Sequence, residues 1–194
     1  MMSRLSTAER ISETALGLFA TCGLAGTSME QVRRDAGVSN GSLYHHFPSR
    51  SALAARLLVE GMNRSQQAVL DAVGSTDHAE SAVRGVVTAQ LGWVEAHTDW
   101  ARLLFGDLPD EVLLAAEPTF SAQNRHYLRV VDGWWRGQVD RGAVRDLPFE
   151  VAHALWLGPG QELARHWVRG RGRRRPTEVA HLVAEGAWRA LVAR

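Results

Sequence analysis

Twenty residues, Ser28 to Phe47, constrain this chain more tightly than any other stretch: Ser-Met-Glu-Gln-Val-Arg-Arg-Asp-Ala-Gly-Val-Ser-Asn-Gly-Ser-Leu-Tyr-His-His-Phe. They read as two short helices joined by a tight turn. Ser28 can cap the first helix with Gln31 completing a capping box, and Thr27 with Glu30 offers the same box one residue earlier. Gly37 ends that helix, because the left-handed residue after a last helical turn is nearly free for glycine and costs about 1 kcal/mol or more for other residues. Ser39 caps the second helix. Val32, Ala36, Val38, Leu43 and Phe47 form an apolar seam that holds the pair at a fixed angle. Ser39, Asn40, Ser42, Tyr44, His45 and His46 are left outside. The pattern is a helix-turn-helix.

A short helix whose outer face carries small polar groups, imidazoles and one phenol suits the major groove of B-DNA, which is about 12 Å wide and admits one helix. Residues 36–50, Ala-Gly-Val-Ser-Asn-Gly-Ser-Leu-Tyr-His-His-Phe-Pro-Ser-Arg, closely resemble the DNA-binding motif of tetracycline-repressor (TetR) family transcriptional regulators. The resemblance covers about residues 6–58 and extends more loosely through His-Thr-Asp-Trp-Ala-Arg-Leu-Leu-Phe at 97–105. Two positions depart from it: Arg33 stands where a small residue is usual, and Ser51-Ala52 replace acidic residues. The resemblance implies DNA contacts at Thr27, Ser28, Ser39, Asn40, Gly41, Ser42, Tyr44, His45, His46 and Arg50. Tyr44 and the amides and hydroxyls near Ser28 and Ser39 are expected to hold phosphates, while Asn40, Ser42 and His45 or His46 approach base edges. Adjacent histidines point about 100° apart on a helix, so the two cannot ligate one metal together.

At 194 residues and 45% apolar, the chain can bury one sizeable core and carry a small appended domain. No 18-residue uninterrupted apolar window exists and the first residues lack the apolar run of a leader, so a cytoplasmic protein with no membrane partner is expected. The single cysteine, Cys22, permits no internal disulfide and is expected to be packed. Net charge is +1, unevenly spread: residues 1–72 hold seven Arg against six acids, 73–160 seven against twelve, and 161–194 eight against three. Bulk charge therefore points to the far end of the chain and the motif to the near end. The motif takes precedence, because reading a groove needs placed side chains. All basic residues are Arg.

Helical periodicity fills the rest, and no strand pattern occurs. Ser6-Thr7-Ala8-Glu9 opens a first helix with Ile11, Ala15, Leu18, Phe19 and Cys22 on one face, ended by Gly23. Pro48 stops the second motif helix, and Ser49 caps a long one from about Arg50 to Ala72. Further helices are expected over His78–Ala96, Asp99–Leu108, Asp110–Glu117 between Pro109 and Pro118, and Phe120–Arg141. Another starts near Pro148, is interrupted and kinked at Gly158-Pro159-Gly160 and resumes to Val168; the last runs Pro176–Val192. The expected fold is all-α: an N-terminal three-helix helix-turn-helix domain, residues 1–48, and a C-terminal helical bundle regulatory domain, residues 49–194. In the family resembled, the long helix links the two, and its tilt sets the separation of the recognition helices in a dimer.

All seven tryptophans lie beyond residue 90. They read either as core filling or as the wall of a ligand cavity, and the resemblance favours the cavity. Candidate ligand residues are Met62, Trp93, His97, Trp100, Phe105, Phe120, His126, Tyr127 and Trp134. The last helix carries an apolar stripe too wide for a solvent-facing helix. Leu155, Trp156, Leu163 and Trp167 could cover it within the chain; the alternative is a four-helix bundle across a two-fold axis, with Leu163, Trp167, Val179, Leu182, Val183, Gly186 and Ala190 at the interface. Arg169, Arg171, Arg173, Arg174 and Arg175 read as a solvated basic loop.

The expected function is a homodimeric DNA-binding regulator, a repressor released from a palindromic operator in double-stranded DNA by a small apolar or aromatic effector. No cofactor is expected. The alternatives are a metal or proton sensor through His97, His126, His153 or His166, and an enzyme on an all-helical scaffold. Against the enzyme, no Gly-rich phosphate loop, paired-cysteine site or Gly-x-Ser-x-Gly motif occurs, and the eight histidines avoid the i, i+4 spacing of a helical metal site.

Overall fold

Ser6 opens α1 (Thr7–Cys22) with a full capping box: its Oγ accepts from the Glu9 amide at 3.2 Å, and Glu9 Oε2 accepts from the Ser6 amide at 2.7 Å. The computed structural model describes residues 5–193; residues 1–4, part of the stretch read for a leader, and residue 194 lie outside them. Then follow α2 (Met29–Asp35), α3 (Asn40–His46), α4 (Arg50–Gly74), α5 (Ala79–Ala96), α6 (Thr98–Phe105), α7 (Asp110–Asp140), α8 (Phe149–Val168) and α9 (Pro176–Leu191). No strand occurs among the described residues. One isolated antiparallel bridge, Val144 to Val192, ties the end of α9 to the loop before α8. There the Arg145 amide donates to Leu191 O at 2.8 Å and its guanidinium to Ala190 O at 3.0 Å.

Apolar spacing along these helices builds two large cores and a smaller third. The first joins Ile11, Ala15 and Phe19 of α1 to Val32, Leu43 and Phe47, and continues into Leu53 and Leu57 of α4, Leu103 of α6 and Val112 of α7. The second joins Val69 and Val73 of α4 to Val83, Val87 and Leu91 of α5, Val131 and Trp135 of α7, Trp156 of α8 and Leu191 of α9. Two long helices, α4 and α7, therefore supply both. Each fully buried Leu or Val contributes about 1.5–3 kcal/mol, so either half of α4 is firmly held. The third core, Trp93, Val94, Ala101 and Ala164, has Trp100, Phe105 and Trp167 packed against it.

Two prolines behave differently from expectation. Rather than separate pieces over 110–117 and 120–141, α7 runs unbroken from Asp110 to Asp140 with Pro118 inside, and α8 runs unbroken through Gly158-Pro159-Gly160. An interior proline costs about 3 kcal/mol, largely through the carbonyl four residues back that loses its donor. Both prolines are exposed in the protomer, and the freed carbonyls belong to Leu114 and Leu155, 74% and 37% exposed, where water can replace the donor. Burial of Val112, Ala116, Tyr127, Val131 and Trp135 along one side of α7 offsets the rest. Cys22 was expected to be packed and is instead exposed, outside the first core.

Polar contacts join α5 to α9. Arg84 bridges Glu80 and Glu185. The first turn of α9 has no side-chain cap of its own, and Glu95 of α5 supplies one by accepting from the Thr177 amide at 3.0 Å and hydroxyl at 2.6 Å. Those two bonds hold the Glu95 carboxyl below its ordinary pKa. Within the basic loop, Arg169 pairs with Asp107 at 2.5 Å and Arg175 with Glu178 at 3.0 Å. Among the described residues no helix is long and apolar enough to cross a membrane.

Candidate nucleic-acid interface and interhelical pocket

Two serines set the ends of the motif. Ser28 Oγ accepts from the Gln31 amide at 3.1 Å, and Ser39 Oγ accepts from the Ser42 amide at 3.2 Å, so each short helix begins with one of its free donors satisfied. Of the two caps open to the sequence, Ser28 is the one used. Between the helices Gly37 takes φ +63°, and the Gly37 and Val38 amides return to Arg34 O at 3.1 Å and Arg33 O at 3.2 Å. This closing pattern needs a left-handed residue. Arg33, the departure from the usual small residue, braces the turn: it pairs with Glu30 at 2.6 Å and donates to Val38 O at 3.3 Å.

Leu43 and Phe47 are buried at 0% and 5%, and they seat α3 on the first core. Every residue of the opposite side, Asn40, Gly41, Tyr44, His45 and His46, is exposed, with Ser42 half-buried. A Cβ at Gly41 would touch nothing in the protein, so packing does not demand a glycine there. The fold thus leaves Ser28, Ser39, Asn40, Gly41, Tyr44, His45 and His46 exposed, with Ser42 half-buried. Thr27 is a correction: it is 1% exposed and its hydroxyl donates to Gly23 O at 2.9 Å, which removes it from any outside contact. Arg50 points back into the protein, donating to Thr27 O at 3.1 Å and Ala25 O at 3.4 Å, and so holds the connector in front of α2. Arg34 pairs with Asp35 at 3.1 Å.

The expected ligand residues do not share one site. Trp93 is buried and stacks on His97 at 4.9 Å, and His97 itself is exposed. Trp100 and Phe105 pack on the third core beside Trp167, and Arg64 lies over the Trp100 ring at 5.1 Å. Trp134 packs on Trp156 at 5.2 Å, and His126 faces outward. Met62 and Phe120 line an open apolar groove of about 320 Å³ between α4 and α7. Only Met62 and Tyr127 reach a cavity of about 140 Å³ among α4, α5, α7 and α8. The sequence reading missed Gln66, Gln90, Asn124, His153 and Gln161 in its walls. A signal existed for Gln90, a polar residue on the apolar face of α5 that also carries Val83, Val86, Val87, Leu91 and Val94.

Tyr127 Oη lies 3.3 Å from His153 Nε2; burial pushes the tyrosine pKa up and the histidine pKa down, so both stay neutral near pH 7. His166 sits beside Glu162 on α8 at 2.9 Å. Among the described residues no three His, Cys, Asp or Glu side chains converge as a metal site.

On α9 the residues facing the protein's own core are Ala180, Ala184, Ala187 and Leu191. Leu182 is 62% exposed and Gly186 is exposed, with Val179, Val183 and Ala190 half-buried beside them. On α8, Val151 and Leu155 are exposed and Leu163 is half-buried. Trp167, expected at the same surface, is half-buried and packs on the third core.

The family model described as bacterial regulatory proteins, tetR family, matches residues 11–57. The transcriptional repressor KstR2 of Mycobacterium tuberculosis is 30% identical over 109 residues, covering 56% of this chain and 53% of KstR2, so the chain spans about half that relative's length. The transcriptional regulator LmrA of Bacillus subtilis is 32% identical over 130 residues, covering 65% of this chain and 68% of LmrA. Among solved structures, the fold is similar to FadR from Bacillus subtilis in complex with stearoyl-CoA, with TM-score 0.76 and 17% identity over 92% of this chain and 96% of FadR. Matched through its helix-turn-helix and over two thirds of LmrA, the chain belongs to the tetR family of bacterial regulatory proteins.

Proposed function

We propose that the protein is a homodimeric transcriptional repressor of the cytoplasm that binds a palindromic operator and is released by a small effector. The observation that carries this reading is α3: a seven-residue helix fixed by Leu43 and Phe47, with its polar side turned outward. One such helix covers one half-site. Two helices about 34 Å apart meet successive major grooves, which calls for a two-fold dimer. The apolar surface of α8 and α9 around Leu155 and Leu182 supports that dimer, with Leu163, Val179, Val183, Gly186 and Ala190 at or near the contact. The domain division follows the same logic, with residues 1–48 reading DNA and 49–194 binding the effector and the second subunit.

An effector changes operator affinity only if it binds one arrangement of the dimer better than another. Its route to the DNA is α4, which lines the pocket at Met62 and Gln66 and enters the first core at Leu53 and Leu57. Reading DNA requires no group transfer, and the reading assigns no catalytic residue.

The test is a mobility-shift titration with DNA from upstream of the protein's own gene, with sedimentation of the free protein alongside. The expected result is a saturable shift and a dimer, with Leu182→Asp giving a folded monomer whose operator affinity falls by at least about tenfold. A monomeric wild type that binds every duplex equally would refute the reading.

A further inference from the structure

Double-stranded DNA carries about one negative charge per 1.7 Å of its axis, so a helix that approaches it has to offer positive charge or donors. The seven residues of α3, Asn40 to His46, include no arginine. The arginines around it are committed within the protein: Arg33 to Glu30 and Val38 O, Arg34 to Asp35, and Arg50 to the Thr27 and Ala25 carbonyls. The groups of α3 that can become cations are the two imidazoles of His45 and His46, both exposed.

Their ring centroids lie 5.2 Å apart, and the His46 ring lies 6.3 Å from that of Phe47. Among the described residues neither ring pairs with a carboxylate. The charged groups on the elements packed around them are Glu30, Arg33, Arg34 and Asp35 of α2 and Arg50 of α4. Across Phe47 lie Glu9 and Glu13 of α1 and Arg56, Glu60 and Arg64 of α4. Acids and arginines are equal in number there, so an arriving duplex brings the one large charge.

Imidazole changes charge between about pH 5 and 8, and a nearby negative charge favours its protonated form. Direct contact is not required, because charges act across a Debye length of about 8 Å at physiological salt. Adjacent side chains point about 100° apart on a helix, so one ring enters the groove while the other still feels the phosphates. Protonation also changes what a ring can bind. A neutral imidazole has one donor and one acceptor, whereas the imidazolium has two donors, which suit phosphate oxygens and the acceptor edge of guanine.

We infer that the protein takes up protons at His45 and His46 when it binds DNA, so that its hold on the operator tightens as pH falls. The inference deepens the proposed function and rests on its reading of α3. The sign follows from linkage: the bound state holds more protons than the free state, so affinity rises with proton concentration. The two rings titrate as a pair, since imidazoliums this close repel each other.

The experiment is calorimetric titration of the full chain with the duplex from upstream of its own gene, near pH 7, in two buffers of different ionisation enthalpy. The difference between the two heats counts the protons. Affinities are measured in parallel from about pH 6 to 8. The expected result is uptake of about one proton per dimer and binding at least about tenfold tighter at the acid end. His45→Gln combined with His46→Gln is expected to abolish the uptake and flatten the pH dependence; both side chains are exposed, so the fold does not depend on them. His45→Arg combined with His46→Arg, which makes the charge permanent, is expected to flatten it too and to give a steeper salt dependence than the wild type at the alkaline end. Uptake that survives the glutamine pair, or pH dependence that survives the arginine pair, would overturn the inference. Wild-type binding without proton uptake overturns it alone and leaves the regulator reading standing, whereas a wild type that binds no duplex at any pH overturns both.

Discussion

Leu43 and Tyr44 are neighbours in sequence and opposites in environment, 0% and 46% exposed, and that one step around a helix separates the part of α3 that folding needs from the part it does not. On the proposed reading the Tyr44 hydroxyl meets a phosphate, a contact that carries no sequence information, and Asn40, Ser42, His45 and His46 meet base edges. Tyr44→Phe is therefore expected to weaken binding to all duplexes by a similar factor. Replacing Asn40, Ser42, His45 and His46 by alanine is expected to flatten sequence preference, at about 1–3 kcal/mol for each good bidentate pair with a base that is removed. Competition binding against a randomised operator library measures both, and an unchanged preference after the fourfold replacement would refute the assignment. His153 offers a second test. Burial lowers its folded pKa below the unfolded value of about 6.5, so the unfolded chain binds more protons as the solution acidifies. The stability owed to neutral His153 is complete above about pH 6.5 and is lost as pH falls through the folded pKa. The groups facing it are the Tyr127 hydroxyl and the Phe149 ring, neither of which ionises in that window. Melting curves of His153→Gln from pH 7 to 5 should show a shallower acid loss than the wild type.

Among the elements, α4 and α6 meet where α4 carries a glycine. A Cβ at Gly61 would come 2.8 Å from Trp100 Cε3 and 3.3 Å from Leu104 Cδ2, so the indole lies directly on the α4 backbone. Gly61→Ala gains about 1 kcal/mol of helix propensity and incurs about 1–3 kcal/mol of overpacking, and the rigid indole decides the sign as a loss. Gly85→Ala in α5 meets nothing within 4 Å and is expected to stabilise by roughly 0.5–1 kcal/mol. Thermal unfolding of the two variants should move in opposite directions, and a shift of the same sign would contradict the contact. The helix-turn-helix was legible in the sequence because its caps, its left-handed glycine and its seam all lie within one stretch of twenty residues. Thr27 escaped because its hydroxyl turned to a carbonyl four residues back instead of outward. The unbroken α7 was not legible, since Pro118 is a strong local stop signal and the packing that overrides it comes from α4, about sixty residues away in sequence. The cavity was least legible of all: its walls come from four helices, and the tryptophans that drew attention pack against one another and against the cores.

At the scale of the whole molecule, electrostatics and geometry make separate demands. The cations nearest the recognition helix are engaged within the protein, Arg33 with Glu30, Arg34 with Asp35 and Arg50 with two carbonyls. Each neutralised phosphate adds about 0.9 to the slope of log affinity against log salt, so a shallow slope is expected, well below that of about ten phosphates. Titrations from low to moderate salt measure it. A slope near that of ten phosphates would mean that exposed arginines elsewhere, such as Arg171, Arg173 and Arg174 between α8 and α9, reach the duplex. The geometric demand falls on α4. Its 25 residues form a rod of about 37 Å at the usual rise per residue, and a rod of that length swung by about 5° carries its far end through about 3 Å. That is the length of a hydrogen bond. On the proposed reading α4 acts as a lever arm: a shift too small to disturb either core would break every base contact at once, and the length of the helix would set how little an effector has to move.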